Sequence, residues 1–260
     1  MLCRTIFQVA ALLAGLVLMG CDGLQEFTSS GDQDATPGEM AQIDWEPVRE
    51  TALDRSAALN FRAAKKSLYP LYEKAGVTRT FYCDCPYTGK KPDLATCGVT
   101  PRRNPKRASR LEAEHIMPIS LLGRTLGCWA DGGRKNCRKT DSFFKRAEAD
   151  LHNLTPAIGE INGDRSNYPP IEDIPGEKRE YGTCDVEIAG KRFEPPPHRR
   201  GDIARAYLYM MKVYGAPLTD REIGMFGRWS REDPPTEDER RIHALKAKAQ
   251  GNRNPYYDFR

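Results

Sequence analysis

Beyond its first twenty residues the chain has no apolar run long enough to cross a bilayer; charged residues make up 29% of its 260 positions and the mean hydropathy is −0.64. No internal repeat is visible, and no composition break marks a second domain. There is also no strong overall charge: 40 Lys and Arg stand against 36 Asp and Glu, a net +4. That balance hides an uneven distribution. Between Pro101 and Ala147, twelve Lys or Arg face four Asp or Glu, a local excess of eight positive charges. Such a stretch is the footprint of an anionic partner, nucleic acid or anionic lipid; the plainer alternative is a solvated basic face.

What is present begins with an export signal. Arg4 supplies a positive flank, and "FQVAALLAGLVLMG" supplies an apolar stretch too short for a comfortable transmembrane helix. It ends on Leu18-Met19-Gly20-Cys21, which resembles the lipobox of bacterial lipoproteins. That resemblance implies acylation of Cys21, stable anchoring in a membrane because more than one chain is buried, and, from Asp22, the inner-membrane side of the periplasm. The alternative is an ordinary signal peptide with an unmodified Cys21. "DGLQEFTSSGDQDATPGEMAQ" then reads as a flexible tether. The resulting domain division is a signal over 1–20, a tether over 21–45 and one folded domain over 46–260.

Export changes the meaning of cysteine. Of the eight, Cys3 leaves with the signal and Cys21 is the lipidation candidate. Cys83, Cys85, Cys97, Cys128, Cys137 and Cys184 form an even set, which in an oxidising compartment reads as three disulfides. Six cysteines allow fifteen pairings. Cys128 with Cys137, closing a short loop around Gly132-Gly133-Arg134, is the best single choice. A structural zinc site competes poorly, because Cys83-x-Cys85 is too closely spaced.

The folded part reads as α+β, mainly helical and rich in loops. Apolar residues recur at helical spacing from about Trp45 to Gly76. "TRTFYC" is a short strand candidate. Residues 88–105 are irregular. "LEAEHIMPIS" is a strand leading to a loop, because Pro118 stops it. A glycine loop follows, then a helix over Phe143 to Leu151. Thr155 before Pro156 predicts a helix start, with the helix stopping at Gly163. Pro169 to Arg200 is a Pro- and Gly-rich excursion. "DIARAYLYMMKVYG", "TDREIGMFGRWSRED" and "TEDERRIHALKAKAQGN" are helices, the last with a capping box from Thr236 to Glu239.

Glu114-His115, just past the basic run, is the candidate for chemistry. Hydrolysing a phosphodiester needs a water that loses a proton, stabilisation of added negative charge, and neutralisation of a leaving oxygen. Neutral imidazole suits the first task. A hard divalent cation with oxygen ligands suits the other two, and Mg²⁺ needs only one or two protein oxygens. Glu114 and Asn162 suffice. Adjacent side chains on a strand point to opposite faces, so Glu114 and His115 serve one phosphate only at a strand end.

"SRLEAEHIMP", "CWADGGRKNC", "EADLHNLTPAIGEINGDRSNY", "ARAYLYM" and "GNRNPY", in this order over roughly residues 55 to 257, are similar to the bacterial endonuclease I family. These are periplasmic or secreted nucleases with little sequence preference and a ββα-metal (His-Me finger) site. The resemblance implies that His115 is the general base, that Glu114 and Asn162 are ligands of Mg²⁺ (Mn²⁺ or Ca²⁺ in its place), and that Arg134 contacts the phosphate. It puts Asn153 in the same pocket, orienting His115, with Glu112, Arg165 and Asn167 as supporting residues. His152 is read as structural, and His198 and His243 as surface. It implies a monomer acting on DNA and RNA and leaving 5′-phosphate ends. Ala113 departs from a common aromatic, and "ISLLGRTLG" from a stretch often aromatic and His-containing; both bear on rate and preference rather than reaction type. No recognition helix, zinc finger or RNA-recognition motif is visible. The competing readings are a DNA-binding envelope lipoprotein without catalysis and a metal-binding structural protein of the envelope. The complete Glu114, His115, Arg134 and Asn162 set argues against the first.

Overall fold

The computed structural model describes residues 60–176 and 178–258. The signal, the tether, Cys21 and the first part of the predicted N-terminal helix lie outside the described residues. About half of the described chain is helical, and its strands form three separate two-stranded antiparallel ribbons. Among the described residues no helix is long and apolar enough to cross a membrane.

Helix α1 (Phe61–Lys74) opens where the Asn60 side chain accepts a hydrogen bond from the Ala63 N–H (3.0 Å). Its buried stripe, Ala64, Leu68 and Tyr72, recurs every four residues and packs with Ala149, Leu151, Leu154 and Ile242. The central ribbon pairs β1 (Leu111–His115) with β2 (Leu154–Ile158), placing Glu112 opposite Ala157, Glu114 opposite Thr155 and His115 opposite Leu154. Between the two strands come α2 (Gly133–Thr140) and α3 (Ser142–Ala149). Helix α4 (Gly159–Arg165) follows β2 directly. The C-terminal part is α5 (Arg200–Tyr214), α6 (Asp220–Glu232) and α7 (Glu237–Gln250). Helix α5 is buried on almost every side and anchors the larger core, which includes Tyr82, Phe144, Ile158, Ile161, Phe193, Phe226 and Trp229.

Three disulfides join Cys83 to Cys184, Cys85 to Cys97, and Cys128 to Cys137. The last is the predicted pair. The capping box at Thr236 and Glu239 is present, and α6 carries another at Thr219 and Glu222.

The structure departs from the sequence-based expectation in four places. Thr155-Pro156 does not start a helix. The segment is fully buried, and its main chain finds partners in the β1 ladder. Pro156 is tolerated because a two-stranded ribbon has only edge strands, and its carbonyl accepts from Phe81 N (2.9 Å). The helix begins at Gly159 and runs through Gly163 to Arg165; a Cβ at Gly163 would lie 2.0 Å from Arg107 Nη1, so any larger residue there would displace that guanidinium. "TRTFYC" folds into a turn rather than a strand, with Asp84 N donating to Thr80 O and Asp84 at φ +50°. The glycine loop around Cys128 contains the short helix Gly127–Ala130 and the start of α2. His243 is not a surface residue: it is 4% exposed, stacked on Tyr257.

Candidate active site

The outer edge of β1 runs along a cleft of about 860 Å³. Glu112, Glu114, His115, Arg134, Asn162 and Asn167 all line it. His115 is the last residue of its strand and Glu114 the one before, so both reach the cleft where the chain turns toward Pro118.

The imidazole of His115 is fixed on two sides. Its Nε2 lies 2.9 Å from the Glu148 carbonyl. A carbonyl only accepts, so Nε2 carries the hydrogen and Nδ1 keeps its lone pair in the neutral ring. Phe61, at the start of α1, stacks on the ring with centroids 4.8 Å apart. Burial, with Arg134 and Arg138 nearby, pushes the imidazole pKa down to about 3, so the ring is held neutral.

Glu114 is 2% exposed. Its Oε1 accepts from Tyr82 Oη (2.9 Å) and Arg165 Nη1 (2.7 Å). Burial raises its pKa and Arg165 opposes that rise. Arg165 is itself buried behind β1, where it also donates to the carbonyls of His115 (2.8 Å) and Ile116 (2.7 Å). It does not line the cleft; it holds the strand end in place.

Asn162, on α4, donates from Nδ2 to Glu112 Oε2 (3.1 Å). That bond turns the amide so that Oδ1, an acceptor, is the end left for another partner. Glu112 in turn is neutralised by Arg107 (2.7 Å) and Arg110 (2.9 Å). Arg134 Nε contacts the Glu148 carboxylate at 2.5 Å, while its Nη2 has no hydrogen-bond partner among the described residues. Arg138 shares the same carboxylate at 2.6 Å.

Asn153 has a different task from the one expected. Among the described residues it makes no hydrogen bond to the His115 ring. Its amide closes on Met117, accepting from N (2.7 Å) and donating to O (2.9 Å), and so clamps the chain just after β1. The carbonyl of Glu148 orients the imidazole instead. Glu148 lies inside the "EADLHNL" stretch, but a main-chain contact leaves no sign in residue type. Phe61 was legible only as an apolar helix position. The cations Arg62, Lys65 and Lys66 of α1 also line the cleft, outside the basic stretch of residues 101–147; their spacing of three and four residues in "FRAAKK" is the sequence signal for them. In all, six basic side chains line the cleft against two carboxylates, Glu112 and Glu114, each paired to arginine.

One carboxylate and one amide oxygen on a shared cleft form a hard, sparse donor set. Among the described residues no group of three or more His, Cys, Asp or Glu is placed to hold a metal ion. A donor set of this kind has the chemistry of a hard cation that keeps most of its waters.

The profile of the Endonuclease I family matches residues 56–259. The sequence is 46% identical over 208 residues to an extracellular deoxyribonuclease of Aeromonas hydrophila, covering 77% of this chain and 90% of that protein. It is 43% identical over 215 residues to a periplasmic deoxyribonuclease of the same organism, covering 80% and 89%. It is 41% identical over 203 residues to Endonuclease-1 of Buchnera aphidicola subsp. Acyrthosiphon pisum, covering 76% and 80%.

Proposed function

The chain belongs to the endonuclease I family, and from that premise we propose that it is a metal-dependent, sequence-nonspecific endonuclease of the cell envelope. It hydrolyses phosphodiester bonds of DNA and RNA and leaves 5′-phosphate ends. The observation that carries this reading is the single cleft lined by Glu114, His115, Arg134 and Asn162. Strand β1, strand β2 and helix α4, in that order, are read as the ββα-metal motif.

His115 takes the proton of the attacking water at Nδ1, because Nε2–H is committed to the Glu148 carbonyl. Phe61 and that carbonyl keep the ring from rotating away. Arg134 turns its free Nη2 toward a phosphate oxygen, and the Glu148 carboxylate holds the guanidinium in place. Glu114 and Asn162 would hold Mg²⁺, with Mn²⁺ or Ca²⁺ able to take its place; bound there, the ion supplies positive charge against the extra negative charge and the leaving oxygen. Tyr82 and Arg165 fix Glu114 for this role, and Glu112 fixes Asn162. The basic lining contacts phosphates, which are the same at every step of a nucleic acid, so sequence preference is low.

Export agrees with the extracellular and periplasmic relatives. Acylation of Cys21 would make the enzyme a membrane-held one, and the mass of the mature N-terminus reads this directly: a free Cys21 thiol rules the anchor out. The test of the activity is purified protein with plasmid DNA and Mg²⁺, with and without EDTA. Degradation that EDTA abolishes is expected. Binding without EDTA-sensitive degradation would favour a DNA-binding protein that has lost catalysis.

A further inference from the structure

Phe61 is not the wall of the cleft but a ridge between two grooves. On its far side lies a second groove of about 620 Å³, lined by Asn60, Phe61, Arg62, Lys65, Arg138, Lys145 and Glu148. Phe61, Arg62 and Lys65 line both grooves, so the two are continuous across the start of α1. We propose, resting on the nuclease reading above, that the nucleic-acid strand crosses this ridge and continues into the second groove, where Arg138 and Lys145 hold phosphates that flank the one being cleaved.

Charge is the first argument. Four cations line the second groove against one carboxylate, that of Glu148. That carboxylate is 1% exposed and already held by Arg134 and Arg138. The side chains of Arg62 and Lys145 have no hydrogen bond or ion pair to another described residue, and Lys65 places its ammonium over the Phe61 ring at 4.8 Å. Among the described residues Arg62, Lys65 and Lys145 pair with no carboxylate, and Arg138 shares Glu148 with Arg134, so the groove keeps an excess of positive charge, which marks the path of a polyanion. Shape is the second argument. Two concave basic surfaces joined end to end suit a linear chain of phosphates. A flat anionic membrane surface would meet the ridge and miss both grooves. The arrangement also connects binding to chemistry, because the ridge residue is the one stacked on His115. A strand drawn across Phe61 sets its phosphate register against that imidazole.

The test compares the full chain with Lys145→Glu, Lys145→Ala and a control, Lys248→Glu, an exposed change on α7 that removes the same charge away from both grooves. Affinity is measured in EDTA as a function of salt. The probes are a duplex of about 30 base pairs, an oligonucleotide of about four nucleotides that fills the cleft alone, and vesicles containing anionic lipid. Lys145→Ala should lower the slope of log affinity against log salt by about 0.9 for the duplex, and Lys145→Glu should weaken duplex binding about tenfold. The short oligonucleotide should bind all four proteins within about twofold, and Lys248→Glu should change duplex affinity by less than about twofold. Equal losses for Lys145→Glu and Lys248→Glu, equal losses on the short and long probes, or a loss confined to vesicles would each overturn the track. If the parent does not cleave plasmid with Mg²⁺ while the duplex difference persists, the nuclease reading fails and the track stands.

Discussion

Replacing Arg165 by Met removes one guanidinium and tests how the strand end is held. Arg165 is 1% exposed and makes four hydrogen bonds, to Glu114, to the carbonyls of His115 and Ile116, and to Tyr207 Oη at 3.3 Å. Without it, a carboxylate that is 2% exposed keeps only the Tyr82 hydroxyl, and two main-chain carbonyls lose a charged donor. Breaking a buried pair from one side costs about 3–5 kcal/mol, because the other charge stays buried. Against a total stability of about 5–15 kcal/mol this is a large share. At about 2–4 °C per kcal/mol for a domain of this size, the melting temperature should fall by about 10 °C. The companion variant Arg165→Met/Glu114→Leu removes both charges and should be more stable than the single change, since an apolar replacement of the whole pair is often close to neutral. Thermal unfolding followed by circular dichroism measures all three proteins. A single variant melting within about 2 °C of the parent, or a double variant no more stable than the single one, would refute the claim that Arg165 compensates the Glu114 charge.

Other outcomes follow from the same structure. His243 is buried with both ring nitrogens unpartnered among the described residues, and burial lowers its pKa to about 2. Its unfolded value is about 6.5, so between those values only the unfolded state takes up the proton and stability is lost as pH falls. His243→Phe keeps the stack on Tyr257, so the stability difference between parent and variant should shift by about 2 kcal/mol toward the variant from pH 7.5 to 5.0; denaturant melts at the two pH values measure it, and no shift contradicts the burial argument. Complete reduction should inactivate the enzyme, because opening the Cys83–Cys184 link over 101 residues alone costs about 4.7 kcal/mol in the chain-entropy account; full activity of the reduced protein would contradict this. Glu112→Gln loosens the amide of Asn162 and should raise the Mg²⁺ concentration for half-maximal activity by about tenfold, and an unchanged value removes the orienting role.

The parts of the fold with local signals were readable. Capping boxes, the helical stripe of α1 and the strand before Pro118 depend on residues close in sequence, and they appear as expected. Thr155-Pro156 misled because a cap and a proline also fit a buried ribbon, and only the pairing with β1 decides between them. The pairing of Cys128 with Cys137 follows from a short loop, whereas Cys83 with Cys184 depends on contacts far apart in sequence. In the site, the resemblance to the family points to Glu114, His115, Arg134 and Asn162, and all four line one cleft. Their supports were not legible. Tyr82, Phe61 and the Glu148 carbonyl act through tertiary contacts that no spacing announces. The resemblance points Asn153 to the His115 ring, yet its amide clamps the main chain at Met117.

The most direct test of the central claim is the single-turnover cleavage rate of His115→Ala beside its affinity for DNA. Removing a general base costs about 10²–10⁴-fold in rate. The account predicts a loss of that size with Mg²⁺ saturating, while DNA binding in EDTA stays near the parent's. Cleavage by the variant at close to the parent's rate would contradict it.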